Sequence, residues 1–216
     1  MSFEGPDPRD YANVVALNAA YLRCLCRHRG EGIGTCAAPL LGRLTGLTVR
    51  EMSRLAEAPF LLFSLREQDD RYWDRLLDGT EGSDLFRAAP SPELTTLRSA
   101  ALGFAWHLAG RNPYSLRLFC GATLYWCERI AELTLYRLLD VVRDSAGVPI
   151  LRMAGHHALW RKLLDDGTSP ASRIRHAAQF AALQTVLTAA TSARRPETLP
   201  LAAKRSRAPG LRIADD

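Results

Sequence analysis

The chain has 216 residues, of which 47% are hydrophobic and 24% are charged. This composition supplies enough apolar side chains for one hydrophobic core or two small ones, and it excludes a disordered chain. Lysine and arginine total 28 against 23 aspartate and glutamate residues, which gives a net charge of +5. Such a mild excess allows a polyanionic partner but does not require one.

The positive charge lies in the second half of the sequence. Residues 1–90 hold 11 basic and 13 acidic side chains, residues 91–190 hold 11 and 7, and residues 191–216 hold 6 and 3. We therefore expect any phosphate-facing surface in the second half. No apolar run approaches the ~20 residues of a membrane span, and the first residues have neither a basic n-region nor an apolar h-region. We expect a soluble, cytoplasmic protein that does not contact a membrane.

Helical patterns dominate the sequence and predict about eight or nine helices. The first covers Asp10–Arg29, where apolar residues at helical spacing form one stripe, and it ends at the glycine-rich stretch Gly30–Gly34. Thr48 and Glu51 form a capping box that starts a short helix. Pro59 stops that helix, because the residue before a proline is pushed out of the α region.

Two serine–proline pairs predict further helix starts, Ser91-Pro92 and Ser169-Pro170, each with a serine N-cap and a proline in the first turn. The apolar segment Phe60–Leu65 shows no clear period. We predict a buried turn of helix or an extended link there, and a short strand is the alternative.

The predicted core consists of side chains on helical apolar stripes. It contains Leu17, Tyr21, Leu22, Leu47, Leu55, Leu133 and Leu138. The four tryptophans are also predicted to be mostly buried, so each indole N–H needs a hydrogen-bond acceptor. They are Trp73, Trp106, Trp126 and Trp160.

An internal repeat changes the expected architecture. Two stretches align at a constant offset of 86 residues, and a third pair aligns after one inserted residue. The matches are Arg43-Leu44-x-x-Leu47-Thr48 with Arg129-Ile130-x-x-Leu133-Thr134, Leu65-Arg66 with Leu151-Arg152, and Trp73-x-x-Leu76-Leu77-Asp78 with Trp160-x-x-Leu163-Leu164-Asp165. Chance similarity between leucine-rich helical segments is the alternative explanation.

The repeat predicts an all-α protein of two similar helical units. The predicted units are residues 1–88 and 89–190, packed as a pseudo-two-fold pair that imitates a homodimer within one chain. Residues 191–216 are predicted to be a basic, mobile tail. The tail is interpreted either as a solvated C-terminus or as an electrostatic arm for nucleic acid.

The cysteines give a weak metal-site pattern. Cys24, Cys26, His28 and Cys36 supply four zinc-type donors within thirteen residues. On a helix, however, residues 24 and 26 point about 200° apart, which disfavours zinc. Buried free thiols are the favoured interpretation, since five cysteines are an odd number and the chain is too long for a disulfide scaffold.

The sequence carries no catalytic constellation that we would defend. It contains no nucleophile elbow, no phosphate loop and no dinucleotide-binding glycine fingerprint. His156 and His157 favour a surface or helix-cap role, and Cys120 and Cys127 favour a place in the core. We therefore predict a non-enzymatic protein without a cofactor.

Arginines and one lysine supply the candidate DNA contacts, because arginine is suited to bidentate phosphate or guanine contacts. The candidates are Arg111, Arg117, Arg173, Arg175, Arg194, Arg195, Lys204, Arg205 and Arg207. A solvated helix surface explains the same residues without DNA.

Part of the first unit resembles the bacterial flagellar transcriptional regulator FlhD. The matching residues are Leu17-Asn18-x-x-Tyr21-Leu22, Arg27, and Leu47-Thr48-x-x-x-Met52-x-Arg54-Leu55-Ala56-Glu57-x-x-x-Leu61-Leu62-x-x-Leu65-Arg66. The similarity covers residues 14–67, with a related second copy in residues 100–165. It implies an all-α, dimeric, bacterial transcription activator of flagellum biogenesis that works with a second subunit, FlhC, on promoter DNA and helps RNA polymerase.

The chain departs from that family in three respects. It is nearly twice the usual length, its second unit resembles the first better than it resembles FlhD, and Phe63 stands where the family can have a cysteine that bridges two subunits. A fused pseudo-dimer accounts for all three. In the family the partner subunit carries a cysteine zinc site and much of the DNA contact, and this chain has no such cysteine quartet.

Two main functional hypotheses follow from the sequence, and a third, an enzyme, depends only on the His156-His157 pair and the cysteines. The first is a transcriptional regulator that acts with an FlhC-like subunit or RNA polymerase on promoter DNA. The alternative is a helical interaction adaptor or scaffold that does not bind DNA. The sequence leaves the oligomeric state open, and a homo-oligomer is compatible with either hypothesis.

Overall fold

The computed structural model of the chain describes residues 5–28, 37–78, 91–145 and 147–192. Within these ranges the protein is all-α, with ten helices and one two-stranded antiparallel sheet. The elements are α1 (Pro8–Arg27), α2 (Ala38–Thr45), α3 (Val49–Ala56), β1 (Phe63–Ser64), α4 (Asp70–Leu77), α5 (Pro92–Arg111), α6 (Pro113–Cys120), α7 (Leu124–Ala131), α8 (Leu135–Asp144), β2 (Ile150–Leu151), α9 (His157–Asp165) and α10 (Ser172–Ser192). The stretch Gly30–Gly34 lies outside the described residues. The predicted tail, residues 191–216, begins too early, because residues 191–192 still belong to α10, and its remainder from residue 193 lies outside the described residues.

Local capping explains where the helices begin. The predicted capping box of α3 is confirmed: the Glu51 N–H donates to Thr48 Oγ1 (3.3 Å), and the Thr48 N–H donates to the Glu51 carboxylate (2.8 Å). Ser91 caps α5 as predicted. Helix α1 begins at Pro8, two residues before its predicted start, because Asp7 is its N-cap. Helix α10 begins at Ser172, later than the Ser169-Pro170 pair predicts.

The described chain passes through the same order of elements twice. A 20-residue helix, two short helices, a two-residue strand and a tryptophan-bearing helix form α1, α2, α3, β1 and α4. The same order returns in α5, α7, α8, β2 and α9, and α5 also has 20 residues. Helices α6 and α10 have no counterpart among the described elements of the first half.

The segment Phe60–Leu65 contains strand β1 and pairs with the second half. Phe63 lies opposite Leu151 and Ser64 lies opposite Ile150 in antiparallel register. The favoured prediction of a helical turn or plain extended link is therefore wrong at residues 63–64, and the strand alternative is confirmed there. The reason is nonlocal, since a two-residue strand is defined by a partner far along the chain.

Backbone conformation shows where the second half contains one residue more than the first half. Arg66 (φ 58°) and Met153 (φ 47°) are the two described non-glycine residues with left-handed backbone. The strands compare in the same way, since β1 begins at Phe63 and β2 begins at Ile150. Both comparisons give an offset of 87 residues. The Trp73 indole N–H donates to Leu65 O and Arg66 O, each at 3.1 Å, and the Trp160 indole N–H donates to Arg152 O (2.9 Å). The insertion therefore precedes β2, whereas the sequence alignment predicts it after Arg152.

Helices α1 and α5 lie side by side and antiparallel. Arg27 at the end of α1 pairs with Glu93 at the start of α5. At the opposite ends, Arg111 of α5 pairs with Asp10 of α1. The two 20-residue helices that open the two runs of elements are thus joined directly.

The core is continuous through both runs of elements and largely follows the predicted apolar stripes. Buried side chains include Leu17, Tyr21, Leu22, Leu55, Leu138, Trp73, Trp126 and Trp160. Leu47, Leu133 and Trp106 are partly buried against this core. The Trp106 indole N–H donates to Leu133 O (2.8 Å), whereas the Trp126 indole N–H has no acceptor among the described residues.

A buried ion pair lies beside the two-stranded sheet. Arg152 is 5% exposed and Glu67 is 1% exposed. Arg152 Nη1 donates to Glu67 Oε1 (2.5 Å) and to Cys120 O (2.6 Å). Its Nε and Nη2 donate to Leu61 O and Phe63 O, both at 2.6 Å. One guanidinium from the second run of elements thus holds the backbone of β1 and of the residues just before it.

We expect Arg152→Met to destabilise the protein by about 3–5 kcal/mol, because Glu67 would be left as an uncompensated buried carboxylate. Urea unfolding followed by circular dichroism measures this change. The double variant Arg152→Met/Glu67→Gln should recover part of the loss. The control Arg161→Met removes an exposed arginine of α9 and should change the free energy of unfolding by less than about 0.5 kcal/mol. Equal stabilities for the Arg152 and Arg161 variants would contradict the assigned role.

Candidate functional site

Most of the described DNA-contact candidates already have internal partners. Arg111 pairs with Asp10 on α1. The Arg117 Nε donates to Ala122 O (3.3 Å). Arg175 lies 3.0 Å from a Glu57 carboxylate oxygen and also donates to Ser169 O (2.9 Å). These contacts compete with phosphate for the same guanidinium groups.

The structure does not gather these arginines into one patch. Arg173 and Arg175 lie at the start of α10, whereas Arg117 faces the other end of that helix near Leu187 and Ala190. A 21-residue helix is about 30 Å long, so the two places are well separated. Arg173 is exposed and has no internal partner among the described residues. The candidates Arg194, Arg195, Lys204, Arg205 and Arg207 lie outside the described residues.

The cysteine-rich segment does not converge on a metal position. Cys24 is buried in α1, Cys26 Sγ lies 3.9 Å from Met52 Sδ, and His28 Nε2 lies 3.3 Å from Glu93 Oε2. No group of three or more histidine, cysteine, aspartate or glutamate side chains that could hold a metal ion occurs in the described part of the chain. Cys36 lies outside it. The described side chains therefore give no support to the zinc pattern.

His156 has the helix-cap role that the sequence favours. Its Nδ1 accepts a hydrogen bond from the Leu159 N–H (3.1 Å) at the start of α9. The neighbouring His157 is exposed in the first turn. Asp69 holds the corresponding position before α4 and accepts from the Tyr72 N–H (3.0 Å).

A surface groove between α1 and α5 is the main feature that sequence reasoning missed. Its volume is about 760 Å³. Leu17, Leu97 and Phe104 form an apolar floor, and the exposed residues Ala16 and Ala100 lie on its sides. We call this feature the α1–α5 groove. Its size falls within the range of ligand and peptide sites.

Charged side chains border the α1–α5 groove. Arg23 and Arg27 lie near the start of α5, together with Glu93, and His107 lies toward the other end. The His28 hydrogen bond and the Arg27 guanidinium hold the pKa of Glu93 below its ordinary value. Glu93 therefore stays ionised and engaged with α1. Arg23 is exposed and has no internal partner among the described residues.

A second exposed apolar area lies on α8. Leu135 is 58% exposed, Tyr136 76% and Leu139 53%. At positions i, i+1 and i+4, these side chains share one side of the helix. They indicate a surface suited to protein contact. The periodicity of α8 alone does not reveal it, because the sequence does not show which apolar stripe the core covers.

No described helix is both long enough and apolar enough to cross a bilayer. No protein-family model, curated protein or solved structure matches this chain.

We expect the thiols of Cys120 and Cys127 to resist alkylation in the native protein, because both side chains are fully buried. Burial also raises the pKa of Cys120 well above its ordinary value, so little reactive thiolate forms. Iodoacetamide labelling followed by peptide mass spectrometry measures each site. Cys26, which is partly exposed, should react faster and serves as the internal control.

The same labelling in concentrated urea should modify Cys26, Cys120 and Cys127 at similar rates. Native labelling of Cys120 or Cys127 as fast as Cys26 would contradict their placement in the core.

Proposed function

We propose that the chain is a non-enzymatic transcriptional regulator of the FlhD type, in which two related units within one chain take the place of two subunits. In this proposal the protein acts with a partner protein, an FlhC-like subunit or RNA polymerase, on promoter DNA. The resemblance of residues 14–67 to FlhD motivates it.

The pairing of β1 with β2 is the observation that carries the proposal. Phe63 occupies the position where the family can have a subunit-bridging cysteine, and it is fully buried opposite Leu151. Two strands from corresponding places in the two runs of elements meet antiparallel, as elements next to a two-fold axis do. Noncovalent pairing within one chain makes a covalent bridge between subunits unnecessary.

The ends of α1 and α5 support the same arrangement. Arg27 and Arg111 hold corresponding positions in the last turns of these helices, and each pairs with an acidic residue in the first turn of the other helix. This reciprocal pattern is what an isologous contact produces.

We assign the DNA contacts to Arg173 and to the basic side chains within residues 194–212. Arg173 is exposed without an internal partner among the described residues, so its guanidinium is available to phosphate. The segment adds Arg194, Arg195, Lys204, Arg205, Arg207 and Arg212.

We expect the full chain to bind a fluorescein-labelled mixed-sequence DNA duplex at about 50 mM salt and to weaken steeply by about 200 mM. Fluorescence anisotropy measures the affinity at each salt concentration. Arg173→Ala should reduce the slope of log K against log[salt] by about 1, and deletion of residues 193–216 should reduce it further.

The matched control is Arg50→Ala, which removes an exposed arginine of α3 without touching the second half. It should leave the slope unchanged. No duplex binding at low salt, or equal effects of the Arg50 and Arg173 variants, would overturn the assigned DNA contacts.

A helical adaptor without DNA binding is the second candidate function. It is favoured by the internal pairing of Arg111, Arg117 and Arg175 and by the exposed apolar side of α8. Affinity purification from the host with and without nuclease separates the two functions. A nuclease-resistant protein complex without DNA supports the adaptor, whereas promoter DNA recovered with RNA polymerase or an FlhC-like subunit supports the regulator.

A further inference from the structure

We infer that the α1–α5 groove binds an amphipathic helix of a partner protein, one with an apolar stripe and with acidic residues beside that stripe. The inference rests on the proposed function only in requiring a protein partner. It adds where on the surface that partner binds and which side chains its binding segment carries.

The shape of the groove fits a helix. Its lining extends along α1 from Asn13 to Arg27, which at 1.5 Å per residue corresponds to about 21 Å. A partner helix of about 14 residues, or four turns, has the same length. An amphipathic helix laid into an apolar groove uses anchors at i, i+3 or i+4, and i+7.

The floor of the groove supplies contacts for those anchors. Leu17 from α1 and Leu97 and Phe104 from α5 line it, and each still keeps a small exposed fraction. Because α1 and α5 already pack on one another, a third helix would lie over their seam without opening the core. Burial of its apolar stripe would remove this surface from water.

The charges around the groove indicate that the bound helix carries acidic side chains. Among the described residues that line the groove, Arg23 and Arg27 carry positive charge and Glu93 carries negative charge. Glu93 is held by Arg27 and His28, so it does not neutralise Arg23. His107 lies toward the opposite end from Arg23, where its imidazole N–H can donate a hydrogen bond to an acidic side chain. Aspartate or glutamate beside the partner's apolar stripe would meet these groups.

The same charges disfavour two other occupants of the groove, a second copy of the chain and the chain's own C-terminal residues. A second copy of the chain would place this basic rim against itself, and like charges that face each other across an interface disfavour association. Residues 193–216 of this chain carry six basic and three acidic side chains, so they are also a poor electrostatic match.

Site-specific photo-cross-linking tests the inference in the host cell. Benzoylphenylalanine is introduced at Ala16 or Ala100, which are exposed and line the groove, and at Ala158 on α9 as the matched control. Mass spectrometry of the cross-linked peptides identifies the segment that was in contact. The exposed alanine positions tolerate the larger side chain, and circular dichroism checks that the helix content is unchanged.

We expect Ala16 and Ala100, but not Ala158, to cross-link to a segment of another protein with apolar residues at helical spacing and flanking Asp or Glu. Arg23→Glu should lower the cross-link yield by about tenfold or more, and Arg161→Glu should leave it unchanged. Cross-links to a second copy, to a basic segment or to residues 193–216 would overturn the inference. A yield no greater than that at Ala158 would do the same.

Failure of this inference is distinguishable from failure of the proposed function. Salt-dependent duplex binding without a groove cross-link overturns the helix site and leaves the DNA contacts supported. A cross-link to an acidic amphipathic helix without any duplex binding or promoter DNA supports the helix site and overturns the regulator.

Discussion

The hydrogen-bonded Arg152–Glu67 ion pair constrains the rest of the fold. A buried guanidinium is tolerated only when its donors find acceptors, and Arg152 finds them at Glu67, Leu61 O, Phe63 O and Cys120 O. Glu67 in turn accepts from the Leu65 N–H (2.7 Å). The network therefore fixes the path of the chain around β1 and requires β2 to lie beside it.

Once β1 and β2 are paired, α1 and α5 pack side by side through the shared core. The reciprocal ion pairs of Arg27 with Glu93 and Arg111 with Asp10 join their opposite ends and mark the antiparallel arrangement. The inner sides of both helices enter the core, and their outer sides form the α1–α5 groove. The proposed partner surface is thus a consequence of joining two runs of elements in one chain.

Arginine serves two different purposes in this protein. Arg111, Arg152 and Arg175 join distant parts of the chain, and their guanidinium groups are occupied by carboxylates or carbonyl oxygens. Arg23 and Arg173 project from the surface without internal partners among the described residues, at the groove and at the start of α10. Counting basic residues in the sequence does not separate these groups, because a contact across the fold decides which charges remain available.

The sequence by itself determined the features that depend on near neighbours. The Thr48 capping box and the Ser91 cap connect residues three apart, and the apolar stripe of α1 repeats every three or four residues, so the all-α class and most of the core could be predicted. Only the tertiary structure decided that Phe63 lies in a strand and that Arg152 is buried. The α1–α5 groove also depends on contacts between residues more than sixty positions apart, and helical periodicity carries no information about which stripes meet.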